Sequence, residues 1–339
     1  MSYVVVTDPL VRPLGGQRPG VAWGAELARS GGEVTIIAPC VGDATLSRLR
    51  GLGLRVRAPP CRSRHWIPLR SFLTALLRRG VRGNILNFSN QYAVPSSVYY
   101  FQGFLTNLAA SMALSGNWEA GLGLPLFSMI DAKWVVAMAR SRRVVSNSPE
   151  SARQLARWGM RSSIVPPPIP MDEYEAYRHA SPGKWGSDYV LVMIGKETKW
   201  EWLRPILDRL RNRVILFGGA KIFHPPRWLP LFGRHVGFVE EMDMPSLYAG
   251  AALTIFTYTH EPFGYVPLEA AAAGSPSLVV GGPHGPACYA GVIRGIHHAS
   301  PRDAPDAAPQ LLNGDVDREA ALRALNPSDS LPDFMGWRR

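Results

Sequence analysis

The chain has 339 residues, too many for one ordinary core and enough for two domains of roughly 150 residues each. Hydrophobic residues make up 46% of it and charged residues 19%, and no stretch approaches the ~18 uninterrupted apolar residues of a membrane span, so the composition is that of a soluble globular protein. The net charge of +11 is unevenly placed: residues 1–170 hold 20 Lys and Arg against 7 Asp and Glu, the rest 17 against 19, and Ala44 to Trp118 carries ten arginines and no acid, which predicts an anionic partner for that part.

The N-terminus has no basic region ahead of an apolar one and reads as a first buried strand, so a cytoplasmic protein is expected. Cys40, Cys61 and Cys288 are odd in number, far apart and without C-x-x-C spacing; three structural thiols are expected, with neither a disulfide framework nor a zinc site.

In chain order, a strand is predicted at Tyr3–Thr7, then a turn at Gly15-Gly16, a helix at Val21–Ser30 and a strand at Val34–Ala38. Helices follow around Ala44–Leu52, Leu69–Arg79 and Leu126–Met138, with strands at Leu54–Ala58, Asn84–Phe88, Val98–Phe101 and Arg143–Asn147. Val165-Pro-Pro-Pro-Ile-Pro170 cannot continue a helix or a central strand and marks a connection between domains.

Beyond it the rhythm restarts. Strands are predicted at Tyr189–Ile194, Arg213–Phe217, His235–Phe238, Leu253–Phe256 and Ser277–Val280, and helices at Trp200–Leu210, Pro245–Ala251, Val266–Ala273 and Asp317–Leu325. The tail Leu331–Arg339, with Phe334 and Trp337, is expected to pack back on the body. The fold class is therefore α/β, with two doubly wound Rossmann-like domains: 1–165, a hinge at 166–186, 187–310, and a C-terminal helix and tail at 311–339.

The stretch Thr259-His-Glu-Pro-Phe-Gly-Tyr-Val-Pro-Leu-Glu-Ala-Ala-Ala-Ala-Gly-Ser-Pro276 carries the most chemistry. An apolar strand leads through Gly264 into an alanine-rich helix, and Pro267 suits a first turn, so the backbone N–H groups of Phe263, Gly264 and Tyr265 are expected to point at a ligand. Glu261 and Glu269 flank the turn, and a carboxylate accepts paired hydrogen bonds from the vicinal hydroxyls of a sugar or ribose. Either glutamate alone could equally be a solvated charge or a dipole partner.

Here the chain resembles the retaining family 4 glycosyltransferases (glycosyl transferases group 1) of GT-B fold, whose signature is two glutamates separated by seven residues, E-P-F-G-Y-V-P-L-E here. The resemblance implies two Rossmann-like domains facing a central cleft and transfer of a sugar from a UDP- or GDP-linked donor to an acceptor hydroxyl, with retention and without a metal or other cofactor. It implies that Glu261 and the backbone of Phe263, Gly264 and Tyr265 hold the sugar and diphosphate, and that Glu269 holds the ribose.

Other segments fit the same pattern. Val190-Leu-Val-Met-Ile-Gly195-Lys-Glu-Thr-Lys199 resembles the family's strand, glycine and two cations, making Lys196 and Lys199 the candidates that neutralise the leaving diphosphate. Gly15 and Gly16 match its glycine-rich loop, and Val236-Gly-Phe-Val239 matches the segment that contacts the base. Where many members have a histidine, the nearest counterpart is Gln102, which can hydrogen-bond an acceptor but is no base. After Gly281-Gly282 comes Pro-His284 instead of an acidic continuation.

Arg62–Arg79 mixes Trp66, Phe72 and leucines with arginines, a pattern suited to an anionic membrane carrying a lipid-linked acceptor, or to an ordinary amphipathic helix. Nucleic acid is the rival partner for so basic a chain, but no nucleic-acid motif accompanies the charge and none is expected to bind. A nucleotide-sugar epimerase of the same fold remains the alternative enzyme. The D-x-D at Asp315–Asp317 precedes a surface-like helix and no metal is assigned to it.

Overall fold

The computed structural model describes residues 1–11, 15–61, 83–90, 92–114, 121–195, 198–210, 213–219, 226–258, 261–282 and 285–337. These form two compact units: Met1–Thr106 with Pro125–Met171 and Asn326–Arg339, and Asn107–Leu124 with Asp172–Leu325. The helix expected at Leu69–Arg79, with the whole of the basic segment Arg62–Arg79, lies outside the described residues, as do Lys196 and His284.

The first unit is built on a seven-stranded parallel sheet. Its strands are β1 (Ser2–Val6), β2 (Glu33–Ile37), β3 (Arg55–Arg57), β4 (Asn84–Asn87), β5 (Val98–Phe101), β6 (Val144–Ser146) and β7 (Ser163–Ile164), ordered β3-β2-β1-β4-β5-β6-β7. The second unit has six parallel strands, β8 (Tyr189–Ile194), β9 (Arg213–Gly218), β10 (Gly233–Gly237), β11 (Ala251–Phe256), β12 (Ser277–Val280) and β13 (Ile296–Ala299), ordered β10-β9-β8-β11-β12-β13. Both sheets are thus α/β, with the order reversing beside the first strand of each. Strands covered on both faces read as continuous apolar runs, which is why β8 and β11, buried nearly throughout, are the plainest in the sequence.

Helices cover the sheets where the periodicity places them, at Arg18–Arg29, Asp43–Gly51, Leu124–Ala139, Trp200–Arg209, Met244–Ala249, Tyr265–Ala273 and Arg318–Leu325. Others, at Leu105–Leu114, Pro149–Ala156, Met171–Arg178 and Pro327–Met335, and the strands β7 and β13, lie where no element is predicted. Met171–Arg178 falls within the expected hinge and is helical because Glu173 and Tyr177 are buried there. Arg318 closes both its end and that of Tyr265–Ala273: Nε donates to Ala272 O at 3.1 Å, and a terminal nitrogen to Tyr177 O and Arg178 O at 3.4 Å. Asp317 accepts the Ala320 N–H at 3.0 Å as a helix cap, and Asp315 pairs with Arg294 at 3.1 Å, so the D-x-D letters have structural partners.

The cysteines require a correction. Cys40 and Cys61 form a disulfide, 21 residues apart, leaving Cys288 as the free thiol. Parallel neighbours β2 and β3 end on the same side of the sheet, so the residues following them meet; Val41 bridges both Leu10 and Pro60, and the disulfide ties the same loops. Sequence spacing does not reveal that adjacency. Among the described residues no helix is long and apolar enough to cross a membrane, and no cluster of metal-ligating side chains is found.

The tail returns to the first unit. Asn326 caps the helix Pro327–Met335 by accepting the Ser328 N–H at 2.9 Å, and Gly336 ends it in the left-handed conformation. Phe334 is fully buried, stacked on Trp23 with centroids 4.1 Å apart and beside Phe88 and Tyr100, while Trp23 Nε1 donates to Ser330 Oγ at 3.0 Å. Trp337, expected to pack as well, stays 54% exposed because the chain turns outward at Gly336. Phe334→Ala should lower unfolding free energy by about 3–5 kcal/mol in urea titrations, the cost of emptying a site among large rings; a loss below about 1 kcal/mol would mean the tail does not close this core.

Candidate donor site

In the second unit the strand order reverses between β8 and β11, and open parallel sheets accept ligands beyond their carboxyl ends at such a point. Two segments emerge there side by side. After β8, the Gly195 N–H donates to Thr198 Oγ at 2.7 Å, and the Lys199 N–H donates to Thr257 O at 3.0 Å. Thr198 and Tyr258 form an antiparallel bridge that joins this loop to the one after β11. A side chain at Gly195 would collide with Tyr258 Oη, so glycine is required by the closeness of the two loops.

The loop after β11 leads into the helix Tyr265–Ala273, whose N-cap is Gly264 at φ 76°, with no side-chain cap. A Cβ there would strike Pro286 and Glu261, and the Gly285 N–H donates to Glu261 O at 3.1 Å, so the turn is pressed onto the 285–286 backbone. Phe263 sends its ring inward, edge-on to Tyr265 at 5.1 Å and to Tyr289 at 5.5 Å. That anchor leaves the backbone of residues 263–265 as the part presented at the helix start.

Glu269 stands one turn further in, and its carboxylate is buried, with Tyr248 Oη donating to Oε2 at 3.2 Å. A buried carboxylate costs stability unless hydrogen-bonded, so its position one turn behind a glycine-capped helix start is informative. Glu261, in the loop, is half-buried. Thr257, at the end of β11, is buried with a hydroxyl that has no partner among the described residues. Lys199 is also buried, as the N-cap residue of Trp200–Arg209; its ammonium donates to Leu114 O at 2.9 Å and lies 4.0 Å from Glu201. Glu261, Phe263, Gly264, Tyr265 and Glu269 thus lie on one loop and the helix it opens, Lys199 lies on the neighbouring loop after β8, and Val239 is half-buried in the loop following β10.

The first unit repeats the reversal, between β1 and β4. Gly15, at φ 44°, and Gly16 open the helical segment after β1. Gln102, at the end of β5, donates through Nε2 to Gly16 O at 2.9 Å and to Phe88 O at 3.0 Å, so its amide group ties the loops after β1 and β4 together. Asp8, not singled out by its sequence context, accepts from Ser89 Oγ at 2.5 Å and from the Asn90 N–H at 3.2 Å in the same place. A carboxylate directly following the first strand was the signal available for it. Burial, then the charges of Asp8 and Asp131, hold the phenol of Tyr99, without a partner among the described residues, far above its ordinary pKa. Asp131 is raised by burial, against hydrogen bonds from Thr106 and Leu105.

No protein-family model and no curated protein sequence matches the chain. Solved structures do. HepE of Anabaena, in complex with UDP and glucose, superposes with a TM-score of 0.61 at 14% identity, over 99% of this chain and 95% of that one. WaaG, a glycosyltransferase involved in lipopolysaccharide biosynthesis, gives 0.60 at 15%, over 100% and 96%. The sucrose-phosphate synthase of Thermosynechococcus elongatus gives 0.62 at 14%, over 99% and 97%. The chain has the GT-B fold.

Within that GT-B fold the β8 and β11 loops hold each other in place. Gly195→Ala should lower unfolding free energy by about 1–3 kcal/mol through overpacking against Tyr258. Adding Tyr258→Phe should recover most of that loss, since it removes the hydroxyl that the new methyl meets. Denaturant titrations of the two single variants and the pair measure the coupling; additive losses would contradict the contact.

Proposed function

We propose that this chain is a retaining glycosyltransferase that moves a sugar from a nucleotide diphosphate sugar, UDP- or GDP-linked, to an acceptor hydroxyl without a metal. The observation that carries this reading is the pairing of a buried carboxylate, Glu269, with a helix start opened by glycine at the β8/β11 reversal. Backbone N–H groups and a helix dipole suit a diphosphate, and a carboxylate one turn deeper suits the paired hydroxyls of a ribose. The GT-B fold supports it, as does the UDP bound in HepE, a protein of the same architecture.

In this reading Glu261 and the backbone of Phe263, Gly264 and Tyr265 hold the sugar and diphosphate, and Val239 lies toward the base. Lys196 and Lys199 supply positive charge to the leaving diphosphate. The Lys199 ammonium donates to Leu114 O and has further N–H donors to offer a phosphate oxygen. Gly15 and Gly16 serve donor binding through backbone that glycine leaves open. Gln102 serves the acceptor side by fixing the Gly16 and Phe88 carbonyls, and the leaving phosphate takes the acceptor proton. The acceptor is a lipid-linked or otherwise anionic glycan, met in the cytoplasm or at a membrane surface through the basic segment Arg62–Arg79.

A thermal-shift series with UDP, GDP, ADP and their sugar conjugates tests the reading. One nucleoside diphosphate at 100 times its Kd should add about 2.7 kcal/mol of stability. Glu269→Gln should mainly weaken that binding, whereas Glu261→Gln should leave it and depress turnover, read as nucleoside diphosphate released from the sugar conjugate. Equal loss of nucleotide affinity in both variants would contradict the separate roles, and no shift with any nucleotide would contradict the function.

A further inference from the structure

The Cys40–Cys61 disulfide lies where the loops after β1, β2 and β3 meet, and those loops have other ties. The Leu10 N–H donates to Cys40 O and the Gly42 N–H to Leu10 O, both at 2.9 Å. The Val41 N–H donates to Pro59 O at 2.9 Å, and the Cys61 N–H to Val41 O at 3.0 Å. Thr45 Oγ1 adds a bond to Val11 O at 3.0 Å, and Leu10, Val41 and Thr45 are buried. A strip of backbone hydrogen bonds over a buried floor thus fixes the three loops, and the covalent tie spans the outermost pair, since β3 is the edge strand.

The two sulfurs are unequally placed. Cys40 is 1% exposed, whereas Cys61 is only half-buried and follows the exposed Pro60. A thiolate arriving from solution therefore meets Cys61 first. The chain around Cys61 is cationic: no acid occurs from Ala44 to Trp118, and Arg55, Arg57 and Arg62 lie within six residues of it. Cationic surroundings stabilise a cysteine thiolate. An accessible disulfide over loops that have their own hydrogen bonds has the character of a labile bond.

We propose that Cys40–Cys61 is a thiol–disulfide exchange site, opened by a dithiol reductant and closed by a small disulfide, that sets how firmly the loop after β1 is held. One reductant thiolate attacks Cys61 Sγ, the bond to Cys40 breaks, and the Cys40 sulfur leaves as a thiolate that takes up a proton. The second reductant thiolate attacks its own partner sulfur in the mixed disulfide and releases Cys61. Two electrons enter the chain and the dithiol ends as a cyclic disulfide. A small disulfide reverses the change by two exchanges and ends as two thiols. The effect passes from Cys40 through its hydrogen bond to Leu10 and on to Val11, five residues before Gly16, whose carbonyl Gln102 holds. Its consequence for sugar transfer rests on the donor role proposed above for Gly15 and Gly16, whereas the exchange itself does not.

Equilibration of the full chain with dithiothreitol or with glutathione disulfide, then unfolding and maleimide labelling, counts its thiols. The oxidised chain should show one, Cys288, and the reduced chain three, with passage in both directions. Hydrogen–deuterium exchange of the folded chain should be about tenfold faster on reduction at Thr7–Val11 and Ala38–Thr45, and unchanged at Tyr189–Ile194. Cys61→Ser should show the faster pattern with either reagent. Circular dichroism should keep a cooperative melt in both states. These readouts need no nucleotide, so a failure here is distinct from a failure of the donor site. Four results overturn the proposal: three thiols with either reagent, a bond that dithiothreitol opens only in urea, unchanged exchange at Thr7–Val11 on reduction, or loss of the cooperative melt on reduction.

Discussion

The reversal of strand order between β8 and β11 is the constraint on which the candidate chemistry depends. Strands on either side of that point send their connections in opposite directions, so the two loops leaving it have no helix packed over them. They are instead held by each other, through the Lys199 N–H on Thr257 O, the Thr198–Tyr258 bridge and the requirement for glycine at Gly195. A helix start pressed against Pro286 and a carboxylate buried one turn behind it then have fixed positions before any ligand arrives. Prearranged donors of that kind are what an incoming diphosphate rewards, because no reorganisation is needed when charge gathers on it.

The first unit uses the same reversal with different chemistry. There the loops are joined by an amide, Gln102, and by a carboxylate, Asp8, and further out by the Cys40–Cys61 disulfide. The unit carries the chain's basic excess, whereas the second unit carries the buried Glu173 and Glu269.

Much of this was legible in the sequence for a simple reason. Parallel strands buried on both faces are continuous apolar runs, and Tyr189–Ile194 and Ala251–Phe256 announce themselves; so does a glycine turn between two glutamates that leads into four alanines. What escaped depends on distant neighbours. β13 alternates no apolar pattern because His297 and His298 face outward, and the helix Pro327–Met335 is formed, despite Pro332, by Phe334 and Trp23 stacking across three hundred residues of chain. Cys40 and Cys61 meet only because β2 and β3 are adjacent, and the resting place of the Lys199 ammonium on Leu114 O has no signature in either local sequence.

The central claim is that a nucleoside diphosphate binds at the β8/β11 reversal. Hydrogen–deuterium exchange with and without a saturating nucleotide locates the contact directly. The account predicts slowed exchange in peptides spanning 195–199 and 261–270 together, with the largest protection at the start of the helix Tyr265–Ala273. Protection confined to other segments, with these two unchanged, would contradict it.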